Sequence, residues 1–163
     1  MTTTSDIDPA HAPAAELLSS PEAAAAGSAA LAAGRPILFF DGVCGLCNWS
    51  VDFVLAHERR QQILFAPLQG ETAAACLGTK SDDDFSSVQL LENGVRLDRS
   101  DAVARLLTLM GGGWSILGAL LRIIPRPIRN VGYWVIASNR FRLFGRKAAC
   151  RLPTPAERGR FLP

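Results

Sequence analysis

Apolar and polar residues follow two different periods along the first half of the chain. An uninterrupted apolar run from Ile37 to Phe40 predicts a short strand buried on both faces of a parallel sheet. The segment from Cys44 to about Arg60 has apolar residues at helical spacing, which predicts a helix. These residues are Leu46, Trp49, Phe53 and Val54. A second strand from Ile63 to Ala66 and a short helix from Glu71 to Leu77 follow.

A β-hairpin is predicted after the polar loop from Lys80 to Asp84. Its strands, Ser87 to Glu92 and Val95 to Asp98, flank Asn93-Gly94, a turn pair that favours positive φ at both positions. Ser100 is the predicted N-cap of the next helix, which ends at a run of three glycines. The apolar side of that helix is Val103, Leu106, Leu107 and Met110. This order of elements predicts a thioredoxin-like α/β domain.

Two apolar segments follow the glycines. Trp114 to Ile124 is separated by Pro125-Arg126-Pro127 from an amphipathic stretch that runs from Asn130 to Phe144. Each is shorter than the roughly twenty apolar residues that a helix needs to span a bilayer. We therefore expect helices that pack on the domain and extend it, with interfacial association at a membrane surface as the alternative.

Composition indicates one domain with an added region. The chain has 163 residues, of which 48% are hydrophobic and 20% charged, enough for one sizeable core. We predict a disordered Ala/Pro-rich leader over residues 1–34, a thioredoxin-like core over 35–113, and a helical extension with a basic tail over 114–163. A short helix around Ala23 to Ala33 would have little to pack against. The leader lacks the features of a secretory signal, and its acids argue against a transit peptide.

Charge is distributed unevenly along the chain. The net charge is +2, but the segment from Arg122 to the end has ten Lys or Arg and one acid, whereas the preceding part has seven bases and fourteen acids. This asymmetry predicts either internal pairing with the acidic part or docking on an acidic partner or an anionic membrane surface. Nucleic acid is not an expected partner, because no recognition motif is present.

The chemistry of the sequence is concentrated in Asp41-Gly42-Val43-Cys44-Gly45-Leu46-Cys47. Cys44 opens the predicted helix, whose N-terminal partial positive charge favours a thiolate and lowers a thiol pKa. Cys47 lies one turn further on the same face, close enough for a reversible disulfide. Asp41 has two alternative roles: an oxygen acceptor in the turn, or a carboxylate that relays a proton to or from Cys47. An ionised Asp41 would also raise the pKa of a nearby thiol.

The segment Phe39-Phe40-Asp41-Gly42-Val43-Cys44-Gly45-Leu46-Cys47 resembles the Asp-x-x-Cys-x-x-Cys signature of the DCC (DUF393) family of thiol-disulfide oxidoreductases. Ser100-Asp101-Ala102 and the segment from Ala137 to Gly145 also resemble this family, and the similarity covers about Pro36 to Pro153. The resemblance implies an enzyme that exchanges disulfides with a protein or small-molecule substrate and needs no cofactor.

Positions within the motif assign the expected roles. Cys44, at the loop surface, attacks the substrate disulfide, and the less accessible Cys47 resolves the mixed disulfide. We take Cys44, Cys47 and Asp41 as the catalytic residues. Four cysteines are too few for a disulfide-built scaffold, so a reducing, cytoplasmic location is expected. Thioredoxin-type sites usually have a cis-proline before the third strand, but Asp84-Phe85-Ser86-Ser87 contains none, which argues against the usual substrate groove.

Other interpretations of the cysteines stay open. The chain could be a non-catalytic binding module in which Cys44 and Cys47 hold zinc or are purely structural. A zinc site would need two more ligands from Cys76, Cys150, His57 and His11, none of which has a metal-binding spacing. Cys76 is expected to be a small buried hydrophobe, and Cys150 is a candidate third redox cysteine. A phosphatase related to haloacid dehalogenases is excluded because Phe39 occupies the nucleophile position.

Overall fold

The computed structural model describes Ala25 and residues 29–30, 33–77, 88–145 and 153–163. The strands are β1 (Ile37–Phe40), β2 (Leu64–Pro67), β3 (Gln89–Glu92) and β4 (Val95–Asp98). The helices are α1 (Gly45–His57), α2 (Glu71–Leu77), α3 (Arg99–Met110), α4 (Gly112–Ile123) and α5 (Arg126–Phe144), followed by a 3₁₀ turn at Arg158–Arg160.

The four strands form one mixed sheet in the order β2-β1-β3-β4. Strand β1 pairs parallel with β2 and antiparallel with β3, and the β3–β4 hairpin completes the sheet. Leu38 and Phe40 pack toward α1 and α3, while Ile37 and Phe39 pack on the opposite face. All four residues of β1 are therefore buried, as the apolar run predicted. The chain has a thioredoxin-like α/β fold with an added helical C-terminal region.

The hairpin turn and the end of α3 confirm the sequence prediction, but the start of α3 does not. Asn93 and Gly94 both have positive φ, at 49° and 76°, and Gly111 ends α3 at φ 76°. The N-cap is Asp98, whose backbone is still extended, so Ser100 lies inside the first turn. Ser100 instead donates a 2.5 Å hydrogen bond to Asn130 of α5. The Ser100 hydroxyl thus links α3 to α5 and does not cap α3.

Helix α1 uses a partly different inner face from the predicted one. Its buried residues include Cys47, Val51 and Val54, whereas Trp49 is exposed. Trp49 stacks on Phe53 with ring centroids 5.4 Å apart. Phe53 in turn meets the edge of the Trp114 ring at 4.8 Å. The predicted apolar spacing therefore reflected a second contact, toward α4, in addition to the core contact.

Helices α4 and α5 form the extension. Gly118 of α4 lies against α3 so closely that a Cβ would be 2.7 Å from the Ala104 carbonyl oxygen. Pro125 precedes α5 and Pro127 lies in its first turn, where a proline loses no helical hydrogen bond. No described helix is both long and apolar enough to cross a membrane.

The extension exposes many large apolar side chains of α4 and α5. We call their combined surface the α4–α5 apolar face. Its exposed side chains are Ile116, Leu117, Leu120, Ile123, Ile124, Ile128, Val131, Trp134, Val135, Ile136, Leu143 and Phe144.

The described end of the chain lies along the outer edge of β2. Phe161 forms a parallel bridge with Phe65, and the Leu162 amide donates a 2.7 Å hydrogen bond to the Phe65 carbonyl. Arg160 is buried and forms a 2.5 Å ion pair with buried Glu58. Part of the predicted basic tail is therefore a structural element of the core.

Most of the predicted leader lies outside the described residues. Ala29 and Ala30 are helical, and Ala30 is buried in the same cluster as Ile37 and Phe39. The expectation that a helix here would have little to pack against is wrong for Ala30, because the face of the sheet opposite α1 needs cover.

Candidate active site

Cys44 occupies the junction between β1 and α1. It is the N-cap of α1, with extended backbone at φ −86° and ψ 123°. Its amide donates a 3.3 Å hydrogen bond to the Asp41 carbonyl, and its own carbonyl accepts one of 3.1 Å from the Asn48 amide. The tight turn after β1 thus places Cys44 at the positive end of the helix, as the sequence predicted.

Asp41 has the turn role that was one of its two predicted alternatives. Its carboxylate accepts a 3.1 Å hydrogen bond from the Val43 amide, two residues on. It also accepts a 3.2 Å hydrogen bond from the side-chain amide of Gln69. The sequence analysis missed Gln69, although it follows β2 and parallel β1 and β2 end at the same edge of the sheet. Its position at that shared edge is the sequence signal that could have identified Gln69.

Asn48 holds the turn from the helix side and was also missed. Its Nδ2 donates hydrogen bonds of 2.9 Å to the Gly42 carbonyl and 3.0 Å to the Cys44 carbonyl. Its Oδ1 is buried and has no hydrogen-bond partner within the described residues. Asn48 therefore fixes the backbone on both sides of Cys44.

The relative exposure of the two thiols differs from the prediction. Cys44 is 0% exposed and Cys47 is 7% exposed, so the expectation that Cys44 lies at the surface is wrong. The end of α5 covers this position: the Gly45 amide donates a 3.2 Å hydrogen bond to the Gly145 carbonyl. A Cβ at residue 45 would collide with the Phe144 carbonyl oxygen. Glycine between the cysteines thus permits the close approach of α5.

Cys47 has an environment that disfavours its thiolate. Burial, followed by the negative charge of Cys44, raises the pKa of Cys47 to about 12. A hydrogen bond with the Cys44 side chain and the charge of Asp41 act in the same direction, while the Asp41 backbone opposes them. Cys47 is thus protonated at neutral pH.

Tyr133 of α5 is a third neighbour that the sequence did not indicate. Burial raises the pKa of its phenol, and the charge of Cys47 contributes to the same shift. The phenol oxygen accepts a 3.1 Å hydrogen bond from the Val88 amide, and the Val88 carbonyl accepts one of 3.2 Å from the Arg99 amide. The backbone amide and carbonyl of Val88 are therefore both hydrogen-bonded inside the protein. Asp84 to Ser87 lie outside the described residues.

The candidate zinc ligands are not brought together. Cys76 packs against the cluster on the opposite face of the sheet from Cys44 and Cys47. It is half-buried there, and burial raises its thiol pKa. His57 lies at the exposed end of α1, with its ring 4.4 Å from that of Phe53. Over the described part of the chain, no three His, Cys, Asp or Glu side chains form a metal-binding group. His11 and Cys150 lie outside that part.

Two cavities meet at Cys47. One, of about 500 Å³, lies between α1, α3, α4 and α5, and a smaller one of about 190 Å³ lies between α1, α3 and β1. Among the described residues, Cys47 lines both and Cys44 lines neither. A separate depression of about 540 Å³ beside Arg99 and Trp134 does not reach the thiols.

Comparisons with known proteins found a matching family and similar sequences. Residues 38–146 match the family model of DCC1-like thiol-disulfide oxidoreductase. The uncharacterized protein YuxK of Bacillus subtilis (strain 168) is 36% identical over 129 residues, which cover 78% of this chain and 93% of YuxK. A chloroplastic DCC family protein of Arabidopsis thaliana is 38% identical over 120 residues, covering 72% of this chain and 70% of the plant protein. No solved structure matches the chain.

Proposed function

The chain belongs to the DCC1-like thiol-disulfide oxidoreductase family, and we propose that it exchanges disulfides through Cys44 and Cys47. One observation carries the proposal: Cys44 is the N-cap residue of α1, and Cys47 lies one turn further on in the same helix. Two thiols in this arrangement are close enough to form a reversible disulfide. The substrate is a disulfide in a protein or a small molecule.

The environments of the thiols support different roles for them. Cys44, as thiolate, attacks one sulfur of the substrate disulfide, and the other substrate sulfur leaves and takes up a proton. Cys47 then loses its proton and attacks Cys44, which releases the second substrate thiol. The substrate gains two electrons and two protons, and Cys44 and Cys47 become a disulfide.

Formation of the mixed disulfide also prepares the second step. Cys44 then carries no charge, so its contribution to the raised pKa of Cys47 disappears. The charge of Asp41 contributes to the raised pKa of Cys47, so Asp41 lies close to this thiol. Asp41 is therefore the candidate proton relay for this step. The turn role of Asp41 and this relay role are compatible, because its carboxylate has a second oxygen.

Access to Cys44 requires a local movement. The thiol is fully buried, and the Gly145 carbonyl lies over the first amide of α1. We propose that the end of α5 moves away to admit a substrate. The hydrogen bond of Gly45 to Gly145 then breaks, and the α1 amide becomes available to the thiolate.

A trapping experiment tests the exchange. A Cys47→Ser variant cannot resolve a mixed disulfide, so it should accumulate substrate attached to Cys44 in cell extracts and on incubation with glutathione disulfide. A Cys44→Ser/Cys47→Ser variant is the control. If neither substrate type is captured, the proposed exchange is wrong. A redox titration of the wild-type chain should also show a two-electron midpoint that both single variants lack.

The competing interpretation is a non-catalytic module that holds zinc through the same thiols. Metal analysis of the purified chain separates the two. A bound zinc ion in stoichiometric amount that prevents thiol labelling favours the module, whereas metal-free protein with a defined midpoint potential favours the enzyme.

A second candidate function is peripheral contact with an anionic membrane surface. The α4–α5 apolar face supports it, since large apolar areas on soluble domains mark interaction sites. Between Asp101 and Glu157 the sequence has nine Lys or Arg and no acid. A segment that combines exposed apolar side chains with Lys and Arg matches the chemistry of an anionic lipid surface.

Vesicle sedimentation tests this contact. The chain should sediment with vesicles of phosphatidylcholine and phosphatidylglycerol, and much less with phosphatidylcholine alone. Ile123→Ser combined with Ile128→Ser should abolish sedimentation, while Val95→Ser, at an exposed residue of β4, should not. Formation of a dimer in place of vesicle binding would show that a second copy covers this face.

A further inference from the structure

The cavity of about 500 Å³ between the core and the extension has mostly apolar walls. Leu46 and Cys47 of α1, Val103 of α3, Leu121 of α4 and Ile136 of α5 contribute to its lining. A cavity of this size and character is typical of small-molecule sites, which combine apolar walls with a few polar groups. The dithiol exchange described above assigns no role to it.

Arg129 lines this cavity together with a second charged residue, Arg140. The Arg129 side chain is 8% exposed and forms part of the cavity wall. Its Nη2 forms a 2.7 Å ion pair with Asp101. Its Nε and Nη1 are buried without a hydrogen-bond partner in the described part of the chain. Buried polar groups are nearly always paired, so two unpaired donors on one guanidinium indicate an acceptor that none of the described residues supplies.

The charges around Arg129 indicate that this acceptor is negatively charged. Asp101 is shared with Arg126, to which it forms a second ion pair of 2.5 Å. The guanidinium groups of Arg126 and Arg129 therefore share one carboxylate. This leaves a net positive charge beside the apolar walls of the cavity. A guanidinium binds a carboxylate through two parallel N–H donors more strongly than it binds a neutral acceptor.

We propose that this cavity binds a small amphipathic anion, with its apolar chain against the cavity walls and its carboxylate on Arg129. The medium-chain carboxylates are the ligand class that matches both features. A bound ligand covers the side of Cys47 that faces the cavity. This inference goes beyond the proposed disulfide exchange and does not depend on it, because it uses no thiol chemistry.

Binding of decanoate and decanol tests the role of Arg129. Isothermal titration of the full chain should detect decanoate binding, and Arg129→Met should weaken it at least about tenfold while leaving decanol binding unchanged. Arg122→Met is the matched control, since it removes the same charge from an exposed arginine outside the cavity lining. Equal decanoate affinity in wild type and Arg129→Met would overturn the proposal.

A second variant tests the location without removing charge. Gly132 of α5 lines the cavity, and a Cβ there meets nothing within 4 Å, so Gly132→Leu adds volume at a position where a side chain can begin without a contact. It should weaken both decanoate and decanol at least about tenfold, because both place an apolar chain in the space that leucine fills. Gly113→Leu, at a glycine of α4 that also has open space, should leave both affinities unchanged. Unchanged binding in Gly132→Leu would show that the ligands lie outside this cavity and would overturn the proposal.

Thiol labelling gives an independent readout. In a Cys44→Ser variant, saturating decanoate should slow the reaction of Cys47 with a neutral maleimide at least about threefold, because the ligand covers its cavity side. No protection at saturation would contradict the proposed position. Decanoate should also bind Cys44→Ser/Cys47→Ser with wild-type affinity. If this double variant binds but substrate trapping fails, the exchange proposal falls while the cavity proposal stands.

Discussion

The Gly45 amide donates a 3.2 Å hydrogen bond to the Gly145 carbonyl, so the end of α5 lies across the start of the helix that carries both cysteines. Gly45 is thus part of an interface between the core and the extension. This relationship explains why Cys44 is fully buried although it occupies the first turn after a strand. The end of the helical extension therefore covers the site.

Gly45→Ala should expose Cys44. A methyl group at this position collides with the Phe144 carbonyl, so α5 must shift outward. In a Cys47→Ser background, the maleimide labelling rate of Cys44 should rise about tenfold or more, because opening of the covering segment then costs less free energy. Gly113→Ala, where a Cβ has open space, is the control. Equal labelling rates with and without Gly45→Ala would show that α5 does not limit access.

The pH dependence of labelling should separate the thiols. Burial raises the pKa of Cys47, and this cause persists when Cys44 is replaced. In Cys44→Ser, Cys47 should therefore react slowly at pH 7, with a rate that keeps increasing above pH 9. A Cys47 rate that levels off below pH 9 would contradict its raised pKa.

Asp41→Asn tests charge separately from turn geometry. Asparagine keeps an oxygen acceptor for the Val43 amide but removes the negative charge that raises the pKa of Cys47. In a Cys44→Ser background, the apparent pKa of Cys47 should fall by up to about one unit. Asp41→Ala also loses the turn hydrogen bond and should reduce stability by about 1 kcal/mol. With Cys44 and Cys47 both present, a relay role predicts that Asp41→Asn slows the release of substrate from the mixed disulfide by Cys47, and an unchanged release rate would exclude it.

Arg160→Met should destabilise the fold strongly. The Glu58 side chain is fully buried and is paired with Arg160, which also donates hydrogen bonds to the Ile63 carbonyl. Removal of one partner leaves a buried charge uncompensated, at a cost of about 3 to 5 kcal/mol in the free energy of unfolding. Urea denaturation measures this change. The control Arg158→Met, at an exposed residue, should change stability by less than about 0.5 kcal/mol. Similar midpoints for both variants would mean that the chain end contributes little.

Acid should loosen the docking of α5. Hydrogen bonding to Arg126, and then to Arg129, holds the pKa of Asp101 below its usual range, and Arg105 does the same for Glu92. Because these carboxyls bind protons less readily in the folded state, their contribution is complete above their unfolded pKa values of about 4. It is lost as the pH falls through the lower folded values. Unfolding free energy should therefore decrease below about pH 4, and less steeply in Asp101→Asn. Parallel pH profiles for the two chains would contradict this linkage.

The sequence by itself determined the elements and their order. Ile37–Phe40 is apolar at every position, Asn93-Gly94 tolerates positive φ, and the spacing of Cys44 and Cys47 fits one helical turn. Each of these signals is local, because it depends on backbone sterics or on a period of a few residues. For the same reason, the turn role of Asp41 was among the predicted alternatives, since its acceptor and donor are two residues apart.

The tertiary structure decided which side chains surround the dithiol and what covers it. Gln69, Tyr133 and Gly145 lie far from Cys44 along the chain, and only strand pairing and helix docking bring them to it. The burial of Cys44 was mispredicted for this reason: the cover comes from the end of α5, about a hundred residues away. Accessibility and pKa depend on all the atoms around a group, whatever their sequence separation, and a local pattern contains no information about them.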